Sequence, residues 1–308
     1  MSLDRRFRVP HPSRMKTAEV AASLDEFFRL DGYPPDDFAE IEQFCRDAGI
    51  PLERYATPRF MQRHNGLMLE NAGEVEQVYT LVFPSDEVLG DVLRRANGHP
   101  TLVFTHHPMD FETSGRGLNP MSEAALQRLR DSSVSFYSAH APLDCHDTLS
   151  TSRALARATG VQIERLCAGY HGGYAGVIGA IKEAPLEGFL EVLREVLNID
   201  RVDIRHHAST VKRIAVVAGG AAFPPMMQEA MDLGCDTYLT GDFRIRHSGP
   251  WADKHRHEFD AFVDQAPINL IGASHYATEA EVLRNEMLGW FNSLGLRAEF
   301  VPQRDPWR

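Results

Sequence analysis

A chain of 308 residues is long enough for two ordinary domains or one large one, with a substantial buried core. At 43% hydrophobic and 24% charged residues it has an ordinary globular composition. A formal net charge of −11 and the lack of any dense Lys/Arg run argue against general nucleic-acid binding, which needs clustered cations to neutralise phosphates.

The N-terminus, MSLDRRFRVPHPSR, is charged and proline-containing and has no apolar signal core, and no stretch approaches the length of a membrane span. Cys45, Cys145, Cys167 and Cys235 are widely separated and form no CxxC pair, so reduced thiols are expected rather than disulfides or a thiolate zinc site. A soluble, cytoplasmic protein is expected.

The first elements read as helices. Thr17–Leu30 places Val20, Leu24, Phe27 and Phe28 near one face and stops at Asp31-Gly32 and Pro34-Pro35. Asp37–Ala48 repeats the pattern with Phe38, Ile41, Phe44 and Cys45. From residue 75 the chain alternates. Strand Val75–Phe83, helix Ser85–Asn97, strand Thr101–Thr105, helix Ser122–Asp131 and strand Ser133–Ala139 predict a mostly parallel sheet covered by helices. The glycine-rich Cys167–Gly179 interrupts this rhythm and is expected to form turns near a lobe boundary. It fits a dinucleotide-binding glycine motif poorly.

The rhythm then resumes: helix Leu186–Leu197, strand Arg213–Val217, helix Pro224–Asp232, strand Thr237–Leu239, helix Trp251–Val263, strand Ile268–Ile271 and helix Thr278–Ser293. Corresponding elements lie about 135 residues apart, too far for a solenoid. The expected fold class is α/β, with two pseudo-symmetric α/β lobes. The expected divisions are an N-terminal helical segment 1–64, a first lobe 65–180 and a second lobe 181–308.

Ligands in open α/β sheets gather beyond the carboxyl ends of strands, and the chemistry-bearing residues stand there. The strand ending SVSFYSAH continues to Asp144, and the one ending INLIGASH continues to Glu279, so each delivers His-x-x-x-acid: His140/Asp144 and His275/Glu279. A third run, TLVFTHHP, ends in His106 and His107. Consecutive strand side chains point to opposite faces, so both histidines reach one site only if the backbone turns there; otherwise one ligates and the other packs. Asp144 and Glu279 have structural alternatives, as a helix cap and as a partner of the helix dipole. Thr278 and Glu281 are expected to form a capping box. His140 either ligates or orients Asp144, the second being the better reading. Asp242 and His247 are expected at the outer wall, His146 and His171 as site neighbours, and His206, His207, His255 and His257 at the surface.

The pieces THHP, SAHAPLD, TGD with the later His247, and SHYATE resemble the Ngg-interacting-factor-three-like family, whose bacterial members are often labelled type 2 homologues of GTP cyclohydrolase I. Asn65-Gly66-Leu67 resembles an NxGL stretch of the same family, so the resemblance runs in order over residues 65–302. It implies that His106, His107, Asp144, His275 and Glu279 bind a pair of divalent metals between two lobes, and that the chain assembles into a homo-oligomer, a ring-shaped hexamer. The long N-terminal segment departs from the pattern. A ligand set of nitrogen and oxygen without thiolate suits Zn, Fe or Mn. The expected activity is metal-dependent hydrolysis of a small-molecule substrate by activated water, with His140 or His247 as catalytic proton shuttle. The family label implies a nucleotide substrate, although no phosphate-binding loop is evident. The alternatives are a non-catalytic metal-binding or regulatory ring, and a phosphate-binding domain without metal.

Overall fold

The central strands of the first half are apolar on both faces, and the fold accounts for this. In a computed structural model, which describes residues 14–35, 40–111 and 117–306, strands Gln77–Leu81, Thr101–Thr105 and Val134–Ser138 are buried at every position. They run parallel, the arrangement in which helices cover both faces of a sheet. Strand Gly66–Leu69 closes one edge antiparallel and Arg297–Phe300 closes the other in parallel, giving a five-stranded sheet. Serines start the covering helices. Ser85 caps Asp86–Ala96 and Ser122 caps Glu123–Asp131, each accepting a backbone N–H three residues on.

The second sheet has six strands, in the order Asp203–Arg205, Asn269–Gly272, Thr237–Thr240, Thr210–Val217, Gly173–Pro185 and Gln162–Tyr170. Its central three are parallel, as in the first sheet, and are linked by helices Pro224–Asp232 and Pro250–Gln265. Helix Leu186–Leu197 buries Leu186, Phe189, Leu190, Leu193 and Leu197 along one stripe, each side chain contributing about 1.5–3 kcal/mol. One apolar cluster joins residues of both sheets, with Leu102 and Phe104 from the first and Ile214, Leu239 and Ile271 from the second. Helices Thr151–Ala158 and His275–Glu281, each following the third parallel strand of its half, pack on one another.

Several expectations change. Cys167–Gly179 forms a long antiparallel hairpin rather than a series of turns, reversing at His171-Gly172. Its glycines serve close packing. A Cβ on Gly176 would stand 2.8 Å from Val217 Cγ2, and one on Gly179 would stand 2.3 Å from the Gln162 carbonyl oxygen. Sheet membership crosses the expected boundary at 180/181, because strand Gln162–Tyr170 belongs to the second sheet and Arg297–Phe300 returns to the first.

The helix expected over Asp37–Ala48 spans Glu40–Asp47, and positions 37–39 lie outside the described residues. The last helix begins at His275 instead of Thr278. Ser274 is its cap, and the Thr278 hydroxyl donates to the Ser274 carbonyl instead of forming a capping box. Val282–Glu286 forms a π-helical turn, with the Thr80 hydroxyl donating to the Leu283 carbonyl at 2.9 Å. Among the described residues, no helix is long and apolar enough to cross a membrane.

Candidate metal centre

The backbone leaves the sheet at Thr105 and bends, which brings both following histidines into one place. The Thr105 hydroxyl donates to the Val82 carbonyl at 2.8 Å, also lies 3.0 Å from that of His107, and so fixes the bend. The His106 and His107 rings sit 4.5 Å apart at 70° and are both buried. Phe83 stacks on His107 at 4.4 Å. The turn required by the sequence is present.

The opposing half contributes through a tight strand-to-helix junction. Ser274 has a positive φ of 73°, a sparsely populated backbone for a residue with a Cβ. Its hydroxyl donates to Asp305 at 2.6 Å and accepts the Ala277 N–H at 3.2 Å, which holds the junction. With the helix starting at His275, Glu279 falls four residues on and one turn away on the same face. Glu279 then reaches His275 Nε2 with one oxygen and His107 Nε2 with the other, both at 2.9 Å.

Glycines make room for this. A Cβ on Gly219 would lie 2.3 Å from Glu279 Oε1, and one on Gly241 would lie 2.5 Å from His275 Cα. Sequence reasoning passed over Gly219 and Gly220, although a Gly-Gly pair directly beyond the Thr210–Val217 strand was a usable signal.

Asp144 ends a short helix, Ala141–Asp144, and is not a cap; Ser150 caps the next helix. The Thr151 hydroxyl donates to Asp144 Oδ1 at 2.7 Å and aims it at His106, whose Nε2 is 3.4 Å away. His140 is anchored by its backbone N–H, which donates to Asn65 Oδ1 at 2.7 Å. Its Nε2 lies 4.0 Å from Asp144 Oδ2, and its ring 4.8 and 4.9 Å from those of His106 and His107. Two sets of donor atoms converge within 4.8 Å: those of His106, His107 and His140, and those of His107, His275 and Glu279.

His247 stands further out. Its ring is 5.9 Å from Phe111, which is itself 5.3 Å from His275. Asp242 is buried and ion-paired to Arg246 at 2.8 Å. His146, expected as a neighbour, instead stacks on Phe27 at 4.3 Å and hydrogen-bonds the Phe27 carbonyl; it is a packing histidine. His171 sits at the hairpin reversal, while His206, His207 and His257 are exposed and His255 is half-buried beside Trp251.

The electrostatics of the cluster call for positive charge. Burial works against charge on His106, but Asp144 and Glu279 outweigh it and raise its pKa to about 9. Burial holds His107 well below the usual histidine range, despite Glu279. Burial also opposes ionisation of Glu279, yet His275, His107 and His106 keep it well below the usual carboxylate range. Asp144 is raised by burial, which His106 and His140 offset only in part.

A metal fits these residues on one particular ground. His106 Nδ1 is 3.0 Å from the Ala139 carbonyl and donates to it, so Nε2 is the nitrogen that a cation would take over in place of its proton. That buried Nε2 has no hydrogen bond among the described residues, and carboxylate oxygens face it at 3.4 and 3.5 Å. An imidazole nitrogen among buried carboxylates that favour positive charge suits a divalent cation in place of a proton.

Fold and site together define a mixed α/β protein with a histidine–carboxylate cluster suited to metal. The chain belongs to the Duf34/NIF3 (NGG1p interacting factor 3) family, whose profile matches residues 52–289, in agreement with the motif resemblance. A relative from Archaeoglobus fulgidus named GTP cyclohydrolase 1 type 2 homolog is 22% identical over 288 residues, covering 93% of this chain and 98% of its own. One of the same name from Deinococcus radiodurans is 25% identical over 221 residues, covering 70% and 75%. Among solved structures, protein ybgI, of unknown function, superposes with a TM-score of 0.67 at 20% identity over 95% of this chain and 100% of that one. Reduced HcgD from Methanocaldococcus jannaschii gives 0.64 at 19% identity over 94% and 99%. At such identities the structural likeness establishes the fold.

Proposed function

We propose that this protein is a metal-dependent hydrolase in which two pseudo-symmetric α/β lobes hold a pair of divalent cations, Zn, Fe or Mn, between them. His106, His107 and Asp144 would hold them from one half, and His275 and Glu279 from the other. The observation that carries the reading is the buried His106 Nε2, without a hydrogen bond and faced by Asp144 and Glu279. When bound, a metal pair supplies Lewis acidity and brings the pKa of water down to about 7.

The residues around it do the rest. Glu279 bridges His107 and His275 and fixes both rings. Thr151 orients Asp144, and Ala139 sets the tautomer of His106. His140, anchored through Asn65, would take up and return a proton at Nε2; His247, beside Phe111, would exchange protons nearer the mouth. A cavity of about 240 Å³ lies over the cluster, with Tyr170, Phe223 and Met226 in its wall, and admits a small molecule.

The substrate we propose carries a carbonyl, imine or phosphoryl centre. The name of the curated relatives points to a nucleotide-like ring opened by water. The assembly proposed from the family resemblance is a cytoplasmic homohexamer. The test is turnover by metal-loaded protein on a panel of nucleotides and phosphoesters, with Glu279→Ala and His107→Ala alongside. Activity lost in both variants supports the reading. Activity that survives loss of metal refutes it, and stoichiometric metal with no turnover of any compound leaves the non-catalytic metal-binding ring.

A further inference from the structure

A second cavity, of about 130 Å³, adjoins the first and shares Gly220, Phe223 and His275 with it. Phe111, Phe223, His247, Trp251 and His275 give it five ring walls. Phe111 stands between His275 and His247, and His247 lies parallel to Trp251, within 9° at 6.4 Å. Trp251 lies 6.0 Å from Phe223, and both pack on Phe259 behind them, at 6.0 and 6.2 Å. Despite that backing, Trp251 is 45% exposed and Phe223 37%, so two large aromatic faces are held at the mouth in contact with water.

The charges nearby narrow the ligand class. Arg244 and Arg246 line the same cavity, but neither is available to an anion. Arg244 pairs with Asp260 at 2.9 Å and Asp264 at 2.5 Å, and Arg246 pairs with Asp242 and Asp203. Among the described residues that line the cavity or pair with its lining, four carboxylates against two guanidinium groups leave no surplus positive charge for a phosphate, which is normally gripped by uncommitted Arg or Lys. What remains attractive is π-stacking and apolar contact with a flat, uncharged face. An apolar cavity of about 150 Å³ takes up benzene, so this one holds about one six-membered ring, and a larger ring system extends into the adjoining cavity of about 240 Å³.

We infer that this cavity is the subsite for a planar, uncharged heteroaromatic ring of the substrate, held among Phe223, Trp251, Phe111 and His247 with its reacting edge towards His275 and the donor cluster. The inference rests on the hydrolase reading and deepens it: the ring is what the protein recognises, and any phosphate contributes little. His247 is on this account a wall of the subsite.

The test is calorimetric titration of the full-length, metal-loaded protein with guanosine, GTP and inorganic phosphate as probes. Guanosine is expected to bind, GTP to bind no more than a few-fold tighter, and phosphate not to displace guanosine. Trp251→Ala and Phe223→Ala are each expected to weaken guanosine about tenfold, with Phe223→Leu retaining the fold and part of the affinity. Metal content of all three variants should match the parent. Absence of guanosine binding, tenfold tighter binding of GTP than of guanosine, or unchanged affinity in both alanine variants would each overturn the inference. Guanosine binding by a protein that carries no metal would leave the subsite standing and sink the hydrolase reading; metal without guanosine binding does the reverse.

Discussion

Replacing Gly219 by Ala separates backbone strain from damage to the site. Gly219 has φ +79°, where a Cβ is unfavourable by about 1–2 kcal/mol. Gly234 has a nearly identical φ of +76°, but nothing lies within 4 Å of where its Cβ would stand. Gly234→Ala therefore reports strain alone. Gly219→Ala adds a methyl 2.3 Å from Glu279 Oε1 and 3.4 Å from His275 Nε2, so the carboxylate must move off His275. Shifting a ligand-orienting contact costs metal affinity about 10–100-fold. Chemical denaturation of metal-free protein should show a loss of about 1–2 kcal/mol for Gly234→Ala and a larger one for Gly219→Ala, which also breaks the buried His275–Glu279 contact. Chelator competition should then show weakened metal binding in Gly219→Ala and parent-like binding in Gly234→Ala. Equal metal affinity in both would refute the placement of Glu279 beside Gly219 as a ligand.

Removing the acceptor at Asn65 by Asn65→Ala takes the hydrogen bond from the part-buried His140 N–H; denaturant titration should show a loss of about 1 kcal/mol, and an unchanged midpoint would count against the anchor. Thr80→Val leaves the Leu283 carbonyl of the π-turn without its donor, and a similar loss is expected by the same measurement. Burial pushes the thiols of Cys45 and Cys235 up to about 11 and that of Cys167 up to about 12, from the usual 9.0. These thiols stay protonated in the folded state, so their contribution to stability is complete below 9.0 and fades as pH rises towards 11–12. Melting temperature should accordingly fall across that alkaline window, less steeply in a Cys→Ser variant at the three positions. At pH 8, reagents that attack thiolates should label these residues in the native protein far more slowly than in urea.

Local pattern carried much of the fold. The apolar runs before His106, His140 and His275 could only be buried strands, and a parallel sheet then put their far ends side by side. The four-residue spacing of His275 and Glu279 became a shared face once the helix began early enough. That early start was not legible, because it depends on Ser274 holding a positive φ through Asp305, thirty-one residues away in the chain. The Cys167–Gly179 hairpin was hidden for a related reason. Its glycines look like turn residues in isolation, and only the neighbouring Val217 and Gln162 show that they are there for closeness. Arg297–Phe300 returns to pair with Gln77–Leu81, a register set by long-range packing that no local period encodes. His146 had the right residue type in the right region, yet Phe27 from the N-terminal helix claims its ring.

Elemental mass spectrometry of the purified chain, grown with Zn, Fe and Mn available, bears most directly on the central claim that imidazoles and carboxylates from both halves converge on divalent cations. The account predicts about two metal equivalents per chain, falling sharply in Glu279→Ala and His107→Ala while both variants stay folded by circular dichroism. A parent protein free of stoichiometric metal, or variants that keep their full complement, would contradict it.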